Sequence, residues 1–247
     1  MLPIFCLRLA SGLTAALLLL PAALVNPRFF RTQFLMVFGL GLATAIFLRG
    51  TGDLWLSLAL GGMILLAFLV SLAWSLEGAP ATHVLGVVTA IASAATLCLT
   101  SLQSANEASP GRVVLGELSS AAVLGTATTA MLMGHSYLIA PSMSLTPLLR
   151  LVLAFFITLG IRSLVSGIGL WLWLREHSLA ASDELVLFLP LRWGIGFVGP
   201  AVLGIMAWKT AKIRSTQSAT GILYVVVILI FLGELVGQVL LHNDLLY

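Results

Sequence analysis

Apolar residues occur in blocks of about twenty, separated by short polar or Pro/Gly-rich breaks. At 1.5 Å per residue, a block of that length spans about 30 Å of hydrocarbon as a helix. The pattern predicts eight transmembrane helices, at about 2–25, 30–48, 54–76, 82–104, 113–140, 148–174, 185–208 and 218–241. Asn26-Pro27-Arg28, Glu77-Gly78-Ala79-Pro80 and the Pro141/Pro147 pair mark three of the turns. Few blocks alternate with period two, which argues against a β-barrel. The expected fold is an all-α polytopic membrane helix bundle, a single integral membrane domain over 1–247. The first block resembles a signal peptide, with Arg8, an apolar run and Pro21-Ala22-Ala23. Its run exceeds the 7–15 residues of a secretory core, so it is read as an uncleaved helix. The small residues of block four predict a helix inside the bundle. Gly194, Gly196 and Gly199-Pro200 predict a kink in block seven.

Composition agrees: 60% of residues are hydrophobic and 9% charged, against about 25% charged in soluble domains. The basic residues divide unevenly between the two sets of loops. Arg28, Arg31, Arg150, Lys209, Lys212 and Arg214 fall on one side, and Arg8, Arg49, Arg112 and Arg175 on the other. The positive-inside rule then places both termini outside and the last loop in the cytoplasm. The chain is read as a multi-pass protein of a bacterial cytoplasmic (inner) membrane, with the lipid bilayer as its first partner. A net charge of +3 spread over short loops is no nucleic-acid surface. Cys6 and Cys98 lie in different blocks without a CxxC, so neither a disulfide framework nor an iron–sulfur cluster is expected. No P-loop, nucleophile elbow or HExxH appears.

The candidate chemistry lies in charges within the apolar blocks. Arg162, Arg192 and Glu234 sit about 20, 13 and 10 Å from the outer ends of their helices at 1.5 Å per residue. An arginine stem reaches several ångströms, so the three are expected to meet in one half of the bilayer. Each costs about 2.5–3.5 kcal/mol on insertion scales if unpaired. One carboxylate does not neutralise two arginines, and the surplus positive charge calls for water, a carbonyl or a ligand oxygen. Gln238 lies one turn beyond Glu234, and Tyr224 continues the same stripe. Glu117, with Ser119-Ser120, opens block five from the same side. Arg162, Arg192, Gln238, Tyr224 and Glu117 are therefore candidate ligand-binding residues, and Glu234 and His135 candidate proton-transfer residues. The alternative is an ion pair that locks three helices. Such a site suits a quinone. Haem b is disfavoured, because His83 and His135 form the one pair that could ligate it and no other metal set appears.

The closing Gly233-Glu234-Leu235-Val236-Gly237-Gln238 with Leu246-Tyr247, on eight spans, resembles the membrane-anchor subunits of dimethyl sulfoxide and polysulfide reductases. The resemblance implies a quinone site near the outer face, no haem, and partner subunits carrying iron–sulfur clusters and molybdopterin. Three functions follow from the sequence: a quinone-reactive subunit of an oxidoreductase complex, a small transporter or channel, and a structural or assembly membrane protein.

Overall fold

A computed structural model describes residues 1–48, 53–76, 82–104, 109–139, 144–176 and 183–242. Within them the chain forms helices and no strand. The helices are α1 (Leu2–Leu18), α2 (Pro27–Phe47), α3 (Leu54–Ala73), α4 (Thr82–Ser104), α5 (Pro110–Ile139), α6 (Thr146–Glu176), α7 (Asp183–Trp193), α8 (Gly199–Lys212) and α9 (Thr216–His242). A π-helical segment, Gly194–Val198, joins α7 to α8, so these two make one span. Seven spans are long and apolar enough to cross a membrane, and α1 is a shorter apolar helix. The loops holding Arg49, Glu77-Gly78-Ala79-Pro80, Glu107, Pro141 and His177, and the Leu246-Tyr247 tail, lie outside the described residues.

Local chemistry sets most boundaries. Pro27 sits in the first turn of α2, where the Asn26 side chain accepts from the Arg28 amide. Asp53 caps α3 in the same way. The first helix is shorter than expected. It ends at Leu18, and Pro21 leads into a separate 3-10 turn at Ala22–Leu24, because proline donates no hydrogen bond and clashes with the preceding turn. The kink expected near Gly194 is the π segment. A π turn leaves one residue per turn without its usual α partner, and such segments occur often at functional sites.

The seven spans and the shorter α1 pack as two groups of four. In the first, α1 packs on α2 and α4, and α3 closes the ring between them. In the second, α5 packs on α6 and α9, and α8 lies between those two. The widest seam in the molecule joins the groups, α1 against α5. At its centre two backbones touch. A Cβ on Gly12 would fall 1.8 Å from the Ala121 carbonyl oxygen, and one on Gly125 would fall 1.9 Å from the Gly12 carbonyl carbon. Each group carries a hydroxyl-to-hydroxyl link from its central helix: Thr14 Oγ1 to Ser93 Oγ at 3.0 Å, and Thr126 Oγ1 to Thr158 Oγ1 at 2.9 Å. Interhelical hydroxyl bonds of this kind strengthen packing where water is excluded.

Burial corrects one expectation. The enclosed helices are α1 and α5: every residue from Phe5 to Leu17 except Ala15 is buried. The small-residue helix α4 instead buries one stripe, Thr89, Ser93, Thr96 and Thr100. It turns Val84, Val87, Val88 and Ile91 outward. Its small residues serve one face, and β-branched aliphatics face the lipid. Arg8 and Glu234 share an end of the bundle, as do Phe5 and Phe231, whose rings meet edge-on at 5.2 Å. The start of α1 and the close of α9 therefore lie at the same end.

Gly125→Ala forces a methyl into backbone that has no flexible neighbour to yield. We expect a loss of about 3 kcal/mol or more, seen as a lower unfolding temperature in detergent. Gly61→Ala, where a Cβ meets nothing within 4 Å, leaves that temperature unchanged.

Candidate functional site

Five charged side chains come together at the end of the bundle where α1 begins. Measured at 1.5 Å per residue from the helix ends on that side of the bundle, Arg8, Glu117, Arg192 and Glu234 lie about 9–14 Å deep, and Arg162 lies about 20 Å along the longer α6. All five are buried, with Glu234 3% exposed. Glu234 on α9 is the hub. Its Oε1 accepts from Arg162 Nε at 3.0 Å and from Arg192 Nη2 at 3.3 Å. Its Oε2 accepts from Arg162 Nη2 at 3.0 Å and from the Ser120 hydroxyl. The Arg162 contact is a bidentate fork, the strongest form of carboxylate pairing. Arg162 Nη1 also donates to the Gly116 carbonyl at 3.2 Å and to Ser119 Oγ at 3.4 Å.

Arg192 reaches the hub across the backbone of α9. It donates to the Gly233 carbonyl and, at 3.2 Å, to Ser166 Oγ. This path exists because position 237 is glycine: a Cβ there would lie 2.4 Å from Arg192 Nη1. The π segment comes equally close, since a Cβ on Gly233 would lie 2.3 Å from the Gly196 Cα. Phe197 places its ring 4.9 Å from the Arg192 guanidinium carbon, a cation–π contact. The two glycines that resemble a simple packing motif in sequence thus admit a side chain at one position and a backbone at the other.

The second pair is Arg8 on α1 with Glu117 on α5. Arg8 Nε and Nη2 each donate to one Glu117 oxygen at 2.5 Å. Glu117, expected at the opening of its helix, is buried and faces α1, while Ser119 and Ser120 of the same turn face Arg162 and Glu234. Residues 116–120 of α5 therefore bind α1, α6 and α9 at once. Arg8 is the site residue that the sequence reading misplaced. Assigned to an outer helix end, it is a buried cation. A signal was present: Arg8 is the only charged side chain before Arg28 and stands about 9 Å into an apolar run. With Arg8 removed from the loop count, the basic excess at the opposite end of the bundle widens.

The cluster holds Arg8, Arg162 and Arg192 against Glu117 and Glu234, a surplus of one positive charge. Two of its polar atoms are buried without a partner among the described residues, Arg8 Nη1 and Gln238 Oε1. Gln238 is itself buried, one turn beyond Glu234.

The other candidates stand elsewhere. His135 lies about 27 Å along α5 from Glu117, near the far end of the bundle. It is exposed, with Nδ1 3.5 Å from the hydroxyl of the half-exposed Tyr224. His83 is exposed too and meets Trp74 edge-on at 6.0 Å. Neither histidine nor Tyr224 reaches the charged cluster. Among the described residues no group of three or more His, Cys, Asp or Glu is arranged to hold a metal. Cys6 and Cys98 are free thiols.

A groove of about 570 Å³ opens to the outside between α6 and the end of α7. Its lining is apolar, with Trp171 and Trp193 as walls and Gly160 and Gly167 among its floor residues. Comparison of the chain with protein-family models, curated proteins and solved structures returns no match.

Neutralising one member of a buried pair leaves the other charge stranded. Glu117→Gln is expected to cost about 3–5 kcal/mol, whereas the double change Arg8→Met/Glu117→Leu recovers most of it. A double-mutant cycle on unfolding in detergent measures both.

Proposed function

We propose that the chain is a membrane-embedded subunit that binds quinone or quinol and supports electron or proton transfer with a partner complex. The observation that carries this reading is the unbalanced cluster: three guanidiniums against two carboxylates, with Arg8 Nη1 buried and unpartnered among the described residues. A buried N–H without an acceptor is costly, and a quinone carbonyl oxygen supplies one. Gln238, the other unpartnered group, offers an acceptor to a quinol hydroxyl. Glu234 acts here as counter-ion. Its two oxygens already accept four bonds, which fixes Arg162 and Arg192 and leaves the ligand contact to Arg8. The resemblance of Gly233–Gln238 to the reductase anchor subunits supports the same reading. It adds partner subunits carrying iron–sulfur clusters, a bacterial cytoplasmic membrane, and the charged end facing outward. Haem has no part in it.

A second reading has its own support. Arg162 and Arg192 are bonded on most of their donors, as expected of a lock that holds α5, α6, α7 and α9 together. In that case the protein is a scaffold, and the surplus charge is satisfied by water.

The two readings separate on Arg8→Lys, which retains the ion pair with Glu117 but has no fork and no spare Nη1. The measurement is equilibrium binding of ubiquinone and menaquinone analogues to the purified chain in lipid nanodiscs. Under the quinone reading, affinity falls about tenfold, the effect of one charge-assisted hydrogen bond, and the unfolding temperature stays near that of the parent. Absence of quinone binding, or equal binding by Arg8→Lys, leaves the lock. Gly237→Ala, which displaces Arg192 rather than Arg8, is expected to lower stability by about 1–3 kcal/mol under both readings.

A further inference from the structure

The groove between α6 and α7 has a shape and a rim that the charged cluster does not explain. Its lining begins at Trp171 and runs to Gly160. Eleven residues of helix cover about 16 Å, close to the ~15 Å of a single leaflet's hydrocarbon. The inner end is smooth because Gly160 carries no side chain, and a Cβ there would meet nothing within 4 Å. The outer end is a cation. Arg175 is exposed and lies with its guanidinium carbon 3.8 Å from the Trp171 ring centroid. Stacking holds the guanidinium at the mouth, and its N–H groups make no hydrogen bond seen among the described residues, so they are able to take an anion. A tryptophan–arginine pair at the end of a span stands at headgroup depth. Behind the groove wall, Arg192 donates to Ser166, next in sequence to Gly167.

From this juxtaposition we propose that the groove is a specific site for an anionic phospholipid, with one acyl chain along Leu164, Ile168 and Trp193 and the phosphate on Arg175. A volume of about 570 Å³ is within the usual range of small-ligand sites. A phosphate matches the planar donor fork of arginine. The length of the groove, one leaflet, is that of a lipid standing in its own monolayer. The lipid covers the exposed seam between α6 and the π-containing span, where helix-to-helix packing is thin, and seals the Arg192 side of the cluster from water. This site is independent of the quinone reading, because it uses neither Arg8 nor Gln238.

The test is native mass spectrometry of the full chain released from nanodiscs containing equal phosphatidylglycerol and phosphatidylcholine. The expected result is one retained phosphatidylglycerol. Arg175→Gln reduces its retention about fivefold, the factor for one basic residue at an anionic surface. Gly160→Leu fills the groove floor and abolishes retention of the lipid. Both changes are at positions where the fold tolerates them, one exposed and one facing open space, and an unchanged unfolding temperature verifies that. Equal retention of the two lipids, or retention unaffected by either substitution, overturns the proposal. A quinone mass that disappears with Gly160→Leu also overturns it, and assigns the groove to the quinone tail instead.

Discussion

The structure depends on two carboxylates holding three guanidiniums where water is scarce. A single unpaired charge at that depth costs several kcal/mol, so the helices that carry these groups are tied to one arrangement. Residues 116–120 of α5 show how tightly. One turn and a half of helix presents Glu117 to α1, the Gly116 carbonyl and Ser119 to α6, and Ser120 to α9. Rotating α5 by one residue would break contacts to three helices at once. The ion pairs serve as register marks more than as sources of stability, since a buried pair repays its desolvation only when its geometry is satisfied.

The glycines complete that constraint. Arg192 lies flat on α9 because Gly237 has no side chain, and the π segment nests against Gly233 for the same reason. Farther from the charges, Gly12 and Gly125 bring the two helix groups to backbone contact. The polar and the apolar parts of the interior thus obey one rule. Helices approach where small residues permit, and the charged groups lie within reach only because of that approach.

Much of this was legible in the sequence, for reasons that can be named. Helix number follows from apolar block length, and Arg162, Arg192 and Glu234 stood out as charges inside those blocks. Their convergence follows from counting depth along the helices. The rest depends on which faces meet, and period alone does not give that. Arg8 lay hidden in a run that resembles a signal peptide, and its partner is 109 positions away. Glu117 is near enough to its helix end to pass for a solvated residue. In α4, small residues suggested enclosure on all sides, whereas only the face with the hydroxyl stripe and Leu97 is covered. His135 and Tyr224 do meet, but along the outer surface, well away from the charges.

The order of the charges along the chain has a consequence for biogenesis. Arg8 emerges with α1, before its counter-ion has been synthesised. Glu117 follows with α5, and Glu234 with α9. Between those moments the nascent protein carries bare arginines, first one and later two more, that lipid headgroups, water or the insertion machinery must shield. Closure of the bundle by α9 is therefore also its electrical completion, and a chain truncated before that helix would retain the cations without the residue that gathers them.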